Sequence, residues 1–259
     1  VAKNSPLAVR LSEIRERLEK ACAQAGRGAS EVTLIAVTKT AAPEQIREIL
    51  QLGVGDLGES RAQVLTQKVA QVNEFYQRQK ARGEDEAVAA LAPRLRWHMI
   101  GHLQRNKVKP ILPLVDLVHS VDSLRLAEEI EVAAAKLGKK IPVLLQVNAS
   151  EEKSKFGVAV GASVHLAEQI VQMSNVALVG LMTMAPVDST PAESRVVFSR
   201  TREIFEEIKW NKYGGAAFKH LSMGMSNDFE AAILEGATMI RVGTALFGGK
   251  VEDAEEPTD

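Results

Sequence analysis

The chain has 259 residues, 46% of them apolar and 25% charged, with 32 basic side chains against 33 acidic ones. That composition suits a globular protein with a sizeable core, and the near-neutral balance gives no electrostatic reason to attract nucleic acid or an anionic membrane. A single cysteine, Cys22, excludes a disulfide framework and makes a reducing compartment the default. Val1–Pro6 has no apolar secretory region, and the most apolar stretch, Val176–Val187, is too short to span a bilayer. The expected location is the cytoplasm.

In chain order, an amphipathic helix at Ala8–Ala25 carries Cys22 and precedes the first strand, Val32–Val37, which is β-branched and apolar throughout. Helical periodicity follows from Pro43, a good first-turn residue, to Leu52. A weak strand at Val54–Leu57 leads to a helix at Arg61–Tyr76, then to a charge-rich and Ala-rich surface insertion, Gln77–Pro93. Strands at Leu95–Ile100, Leu117–Val121, Val143–Val147, Ala177–Met182, Phe218–Leu221 and Met239–Val242 complete a set of eight. Between them lie helical segments at Leu103–Val108, Ser123–Leu137, Gly161–Met173, Pro191–Trp210 and Asp228–Glu235. Strands that alternate with helices imply right-handed crossovers and a parallel sheet. Eight such units predict an α/β fold: a single (β/α)8 TIM-type barrel over residues 1–250 with an extra N-terminal helix, the rival being a doubly wound open sheet. Residues 251–259 form an acidic, apolar-poor tail, expected to be disordered.

In such a barrel the active site forms at the C-terminal ends of the strands. The residues there include Lys39, Glu59-Ser60-Arg61, Gly101, Asp122, Asn148, Thr183, Ser222 and Gly243-Thr244. Lys39 follows an apolar strand, where partial desolvation favours the neutral amine that Schiff-base formation needs. Leu221–Asp228 runs into a helix through three good capping residues, Ser226, Asn227 and Asp228, and Gly243-Thr244 follows the last strand. Loops after strands seven and eight are the recurrent phosphate site of this barrel, and closure sets strand eight beside strand one. An amine next to a phosphate cradle suits a phosphorylated aldehyde, either pyridoxal phosphate or a sugar phosphate.

Two patterns are refused. Gly53–Gly58 matches G-x-G-x-x-G but contains the second strand instead of following one, so it is no dinucleotide loop. His98 and His102 lack the glutamate of H-E-x-x-H and read as strand-end histidines with ordinary hydrogen bonds; no metal site is expected.

The runs AVTKT (Ala36–Thr40), WHMIGHLQRNK (Trp97–Lys107), HSVDS (His119–Ser123), NASEEKSKFG (Asn148–Gly157), GLMTMAP (Gly180–Pro186) and Leu221–Gly248 resemble the pyridoxal-phosphate homeostasis proteins, the YggS/PROSC type. The resemblance spans Val32–Gly248 and departs at Ser60, where the family has Asn. It implies a fold like the N-terminal barrel of alanine racemase and Lys39 as the lysine that carries pyridoxal 5′-phosphate. It further implies that Ser222, Gly243 and Thr244 hold the phosphate, with Met223 and Ser60 also in the cofactor site, and that Arg241 faces the pyridine nitrogen. The function so implied is vitamin B6 homeostasis without strong turnover. Expected partners are the cofactor, amino acids and, transiently, pyridoxal-phosphate enzymes, on a monomer. The alternative is an amino-acid racemase, which needs a second base; the two tyrosines, Tyr76 and Tyr213, fall in a surface helix and a loop. A Schiff-base aldolase is a third reading.

Overall fold

Helices and strands alternate as the apolar pattern implies, in a computed structural model that describes residues 5–83, 95–152 and 155–248. The first half comprises α1 (Pro6–Gln24), β1 (Thr33–Val37), α2 (Pro43–Gln51), β2 (Asp56–Glu59), α3 (Ala62–Ala81), β3 (Arg96–Met99), α4 (Val108–Ile111) and β4 (Leu117–Val121). Then come α5 (Leu124–Leu137), β5 (Ile141–Asn148), β6 (Val158–Ala159), α6 (Ser163–Ile170), β7 (Val176–Met182) and α7 (Pro191–Trp210). The chain closes with β8 (His220–Ser222), α8 (Phe229–Leu234), β9 (Met239–Val242) and α9 (Thr244–Phe247). Pairing runs β1-β2-β3-β4-β5-β7-β8-β9 and back to β1, all parallel, so the expected eight-stranded barrel is present and closed. The open-sheet alternative is thereby excluded.

Local chemistry sets the helix ends. Pro43 opens α2, and Gln45 Oε1 reaches back to accept the Ala42 N–H at 2.9 Å. Thr190 and Glu193 bond reciprocally ahead of Pro191 to start α7, and Gly138 at φ 62° ends α5. Helix α1 buries Leu7, Leu11, Ile14, Leu18 and Cys22 and packs on α2, α8 and α9. Its Arg10 donates to the Leu246 carbonyl at 2.7 Å, satisfying the end of α9.

Most of the apolar core lies between the strands and the helices, whereas a second, smaller cluster of Ile35, Leu117, Leu144, Met182 and Met239 fills part of the barrel interior. The rest of that interior is polar, with His98, His119, Ser222 and Arg241 all buried.

Three expectations need adjustment. Gln77–Ala81, assigned to an insertion, continue α3, and Arg82 and Gly83 form the turn that ends it; residues 84–93 of that insertion, like the acidic tail, lie outside the described residues. The helix expected at Leu103–Val108 is a 3-10 turn at Arg105–Lys107 followed by the single turn of α4 and a second 3-10 turn at Leu112–Leu114. Pro110 and Pro113 supply no N–H, which limits each helical run. Strand β6, a two-residue pairing on β5 outside the barrel ring, was not anticipated. The refused glycine motif proves to be a left-handed turn at Gly53 (φ 85°) plus the interior of β2. Among the described residues no helix is long and apolar enough to cross a membrane.

Gly224 turns the chain from β8 toward α8 at φ 92°, where a Cβ would sit 2.6 Å from that of Ala232 and 2.8 Å from the Phe229 Cα. Gly224→Ala combines backbone strain with overpacking and is expected to lower stability by about 2–3 kcal/mol, read as a reduced urea midpoint at unchanged slope.

Candidate cofactor-binding site

The C-terminal ends of the strands enclose a cavity of about 460 Å³, within the usual size range for small-molecule sites. Lys39, Ser60, Arg241, Gly243 and Thr244, all expected here from the sequence, line it. Lys39 stands between the ends of β2 and β9, the two neighbours of β1. It is exposed, not partly desolvated as its position suggested, because it stands two residues beyond the strand at the cavity rim.

A buried ion pair anchors the backbone just before Lys39. Lys68 of α3 donates to Glu59 Oε2 at 2.7 Å and also to the carbonyl of Thr38. The Thr38 hydroxyl donates to the same carboxylate oxygen at 3.1 Å, and Glu59 Oε1 accepts the Ser60 N–H at 2.8 Å. One carboxylate thus ties the ends of β1 and β2 together. Ser60 in turn leaves no room opposite it: a Cβ at Gly101 would lie 2.2 Å from the Ser60 carbonyl oxygen.

Arg241 rises from β9 into the barrel. It donates to Ser222 Oγ at 2.6 Å and to the Thr183 carbonyl at 2.9 Å, and further guanidinium donors remain unspent where the side chain lines the cavity. Among the described residues it has no ion-pair partner. Burial lowers its pKa to about 10, only partly offset by Asp228, so it is charged at neutral pH.

Opposite the aliphatic wall formed by Ile100, Met184 and Pro186, two hydroxyls meet: Thr244 Oγ1 donates to Ser226 Oγ at 3.1 Å, which also accepts the Ala245 N–H at 3.3 Å. Ser222 and Met223 do not line the cavity. Both are fully buried, and Ser222 Oγ is engaged by Arg241 and by His119 Nδ1 at 2.9 Å. The turn at Gly224 brings Met225–Asp228 to the wall instead. Ser226 was legible as a capping residue, but which hydroxyl of the segment faced the cavity depended on where β8 ended.

His102 was also underestimated. It lines the cavity, stacks on Phe156 with ring centroids 4.0 Å apart, and approaches Asp122 Oδ2 at 3.4 Å. Phe156 itself is held by Gln146, whose amide donates to the Phe156 carbonyl at 3.0 Å.

Lys68→Met leaves the Glu59 charge buried without its cation, and a loss of about 3–5 kcal/mol is expected. Glu59→Gln in the same chain should recover at least half of that. Urea unfolding of the single and double variants measures both.

The family model for the alanine racemase N-terminal domain matches residues 9–251. The pyridoxal phosphate homeostasis protein of Aquifex aeolicus is 41% identical over 92% of this chain and 96% of its own. The structure of PipY of Synechococcus elongatus with pyridoxal phosphate bound superposes with a TM-score of 0.76 at 33% identity, covering 93% of this chain and all of that one (100%). Alanine racemase of Clostridium difficile shares the barrel alone, at 16% identity and TM-score 0.66, with 95% of this chain matching 57% of the enzyme. A closed barrel with a strand-end lysine, together with relatives that span nearly the whole chain, leads to one assignment: the chain belongs to the pyridoxal phosphate homeostasis proteins, within the family of the alanine racemase N-terminal domain.

Proposed function

We propose that this protein binds pyridoxal 5′-phosphate, holds it as a Schiff base on Lys39, and serves cytoplasmic vitamin B6 homeostasis by storing the cofactor and releasing it to the enzymes that use it. The observation that carries this reading is the convergence of Lys39, the Ser226–Thr244 hydroxyl pair and Arg241 on one cavity. Each matches a different part of the ligand: its aldehyde, its phosphate and its ring nitrogen. The buried Arg241 charge, with no carboxylate among the described residues paired to it, also fits a ligand that brings an acceptor to the site. Names of full-length relatives and the pyridoxal phosphate in PipY support the same reading.

When bound, the cofactor supplies a reactive aldehyde and an electron-accepting ring. Arg241 stays protonated and only donates, so it favours an unprotonated ring nitrogen and a weak electron sink. Gly243 and Thr244 follow β9, the neighbour of β1, and share the cavity with Lys39, which supports a phosphate end held next to that lysine. Together these features hold the cofactor without activating it. A racemase on the same barrel is the second reading, and the observation in its favour is His102, the one histidine among the described residues that lines the cavity. Exchange of the amino-acid α-proton for deuterium separates the two. A rate at the level of free cofactor supports storage, and fast stereospecific exchange that His102→Gln abolishes establishes turnover.

Borohydride reduction of the loaded protein is expected to fix a pyridoxyl group on the peptide containing Lys39. A label on Lys155, whose ammonium pairs with Glu152, would overturn the assignment.

Charge-assisted hydrogen bonds contribute about 1.5–3 kcal/mol each, so the phosphate should dominate affinity. Ser226→Ala with Thr244→Val is expected to weaken pyridoxal phosphate by at least about tenfold and to leave pyridoxal nearly unchanged. Ser222→Ala should weaken both vitamers alike. Fluorescence titration with each vitamer reads these ratios.

A further inference from the structure

Below the cavity a line of hydrogen bonds crosses the barrel from its top to its base. Arg241 Nη1 reaches Ser222 Oγ at 2.6 Å, and Ser222 Oγ meets His119 Nδ1 at 2.9 Å. His119 Nε2 then meets His98 Nδ1 at 2.9 Å, and His98 Nε2 meets Asp56 Oδ1 at 2.9 Å. Its members come from β9, β8, β4, β3 and β2, so it ties opposite walls of the barrel together. Asp56, the first residue of β2, lies at the base, where Arg96 also bonds it at 2.8 Å.

Either end of this line dictates the direction of every bond in it. Burial pushes the Asp56 carboxyl up, but hydrogen bonds from His98 and Arg96 outweigh that and hold it below the usual range. An ionised carboxylate only accepts, so His98 carries its proton on Nε2. With that one proton on the ring, Nδ1 accepts and His119 donates from Nε2. Complete burial, reinforced by the nearby His98 and Arg241, lowers the His119 pKa well below its ordinary value and keeps the ring neutral. Its Nδ1 therefore accepts the Ser222 hydroxyl proton, and Ser222 accepts from Arg241. Beginning instead at Arg241, which only donates, yields the same order. A second proton on His98 would reverse the bonds to His119 and Ser222 and strip the Ser222 proton of its acceptor. Because an arginine ends the line and does not release its proton, the line cannot deliver protons to a ligand.

We propose that Asp56, His98, His119 and Ser222 are positioning residues, a brace of single polarity that holds the Arg241 guanidinium in the orientation it needs to face the cofactor's ring nitrogen. This rests on the reading that pyridoxal phosphate occupies the cavity with that nitrogen toward Arg241. The Ser222 and Thr183 acceptors fix the plane of the guanidinium, and the histidine pair fixes Ser222. None of these four residues lines the cavity.

Two measurements test the brace. In ¹⁵N-histidine spectra of the full chain at neutral pH, His98 and His119 should both be neutral with the proton on Nε2; a proton on Nδ1 of either ring overturns the proposal. In the second, Ser222→Ala, the smallest cut, and His119→Gln are compared with the unaltered protein by titration with pyridoxal phosphate and with its 1-deaza analogue, which has carbon in place of the ring nitrogen. Pyridoxal phosphate should bind Ser222→Ala roughly tenfold more weakly, with a shifted absorbance maximum. His119→Gln, which keeps a donor toward His98, should fall between. The deaza analogue should bind all three proteins alike. Equal losses for both ligands would mean that these residues only support the fold, and unchanged binding of both would remove the brace altogether. If the unaltered protein binds no pyridoxal phosphate, the functional reading fails instead, while the histidine spectra still decide the direction of the bonds.

Discussion

A full positive charge inside the barrel, at Arg241, is the constraint around which the rest of the interior is arranged. Its lowered pKa of about 10 corresponds to a cost of about 3 kcal/mol at neutral pH for holding the charge in the folded state. No carboxylate among the described residues lies against it, so the cost is offset by neutral acceptors, Ser222 and the Thr183 carbonyl. Those acceptors must in turn be held. Ser222 is oriented by His119, and Thr183 donates its hydroxyl to the Val147 carbonyl at 2.9 Å. Polar side chains therefore displace apolar ones from much of the barrel's centre, and the five-residue apolar cluster inside is small beside the one under the helices. A purely structural barrel would gain by replacing this charge with a packed hydrophobe. Its retention is a sign of function at the cavity floor.

The fold was legible because most barrel strands are short apolar runs bounded by turn chemistry, as a parallel barrel covered on both faces requires, whereas β2 carries Leu57 as its one large apolar side chain. Leu117–Val121 and Met239–Val242 match the structure at both ends. The strand near Phe218 is displaced by two residues at its start, since Phe218 stacks on Phe205 of α7 with centroids 4.8 Å apart instead of pairing in the sheet. Apolarity marked that residue as buried but could not say against what. The same ambiguity lies behind the exchange of Ser222 for Ser226 at the cavity wall.

Site residues at strand ends were readable for a geometric reason: the barrel gathers those positions whatever their separation in sequence. The line beneath them was not readable. His98 and His119 are 21 residues apart, and His119 and Ser222 are 103 apart. Nothing in local periodicity specifies that three side chains from β3, β4 and β8 meet in the lumen. The isolation of His119 in sequence conceals that its ring is bonded at both nitrogens. The ion pair of Glu59 and Lys68 was equally silent, because in sequence Lys68 follows the solvent-facing Thr66 and Gln67, whereas on α3 it shares the buried face of Leu65, Val69 and Val72.

The two ends of the cavity differ in exposure, and that difference suits the proposed storage of the cofactor. At the floor, Arg241 is buried and bonded to β8 and to the residue that follows β7, so on the proposed binding mode the ring end of the cofactor meets a fixed donor. At the rim, Lys39 is exposed and Val187 and Phe156 are 80% and 44% exposed, so the end where the proposed attachment would form stays open to water and to incoming amines. A catalyst gains by excluding water from its reacting centre. Here the Lys39 amine is instead exposed, while the ion pair under Thr38 fixes the backbone from which it extends. On the proposed binding mode, recognition of the cofactor's ring and exchange at its aldehyde carbon fall to opposite ends of one cavity, and neither requires the barrel to open.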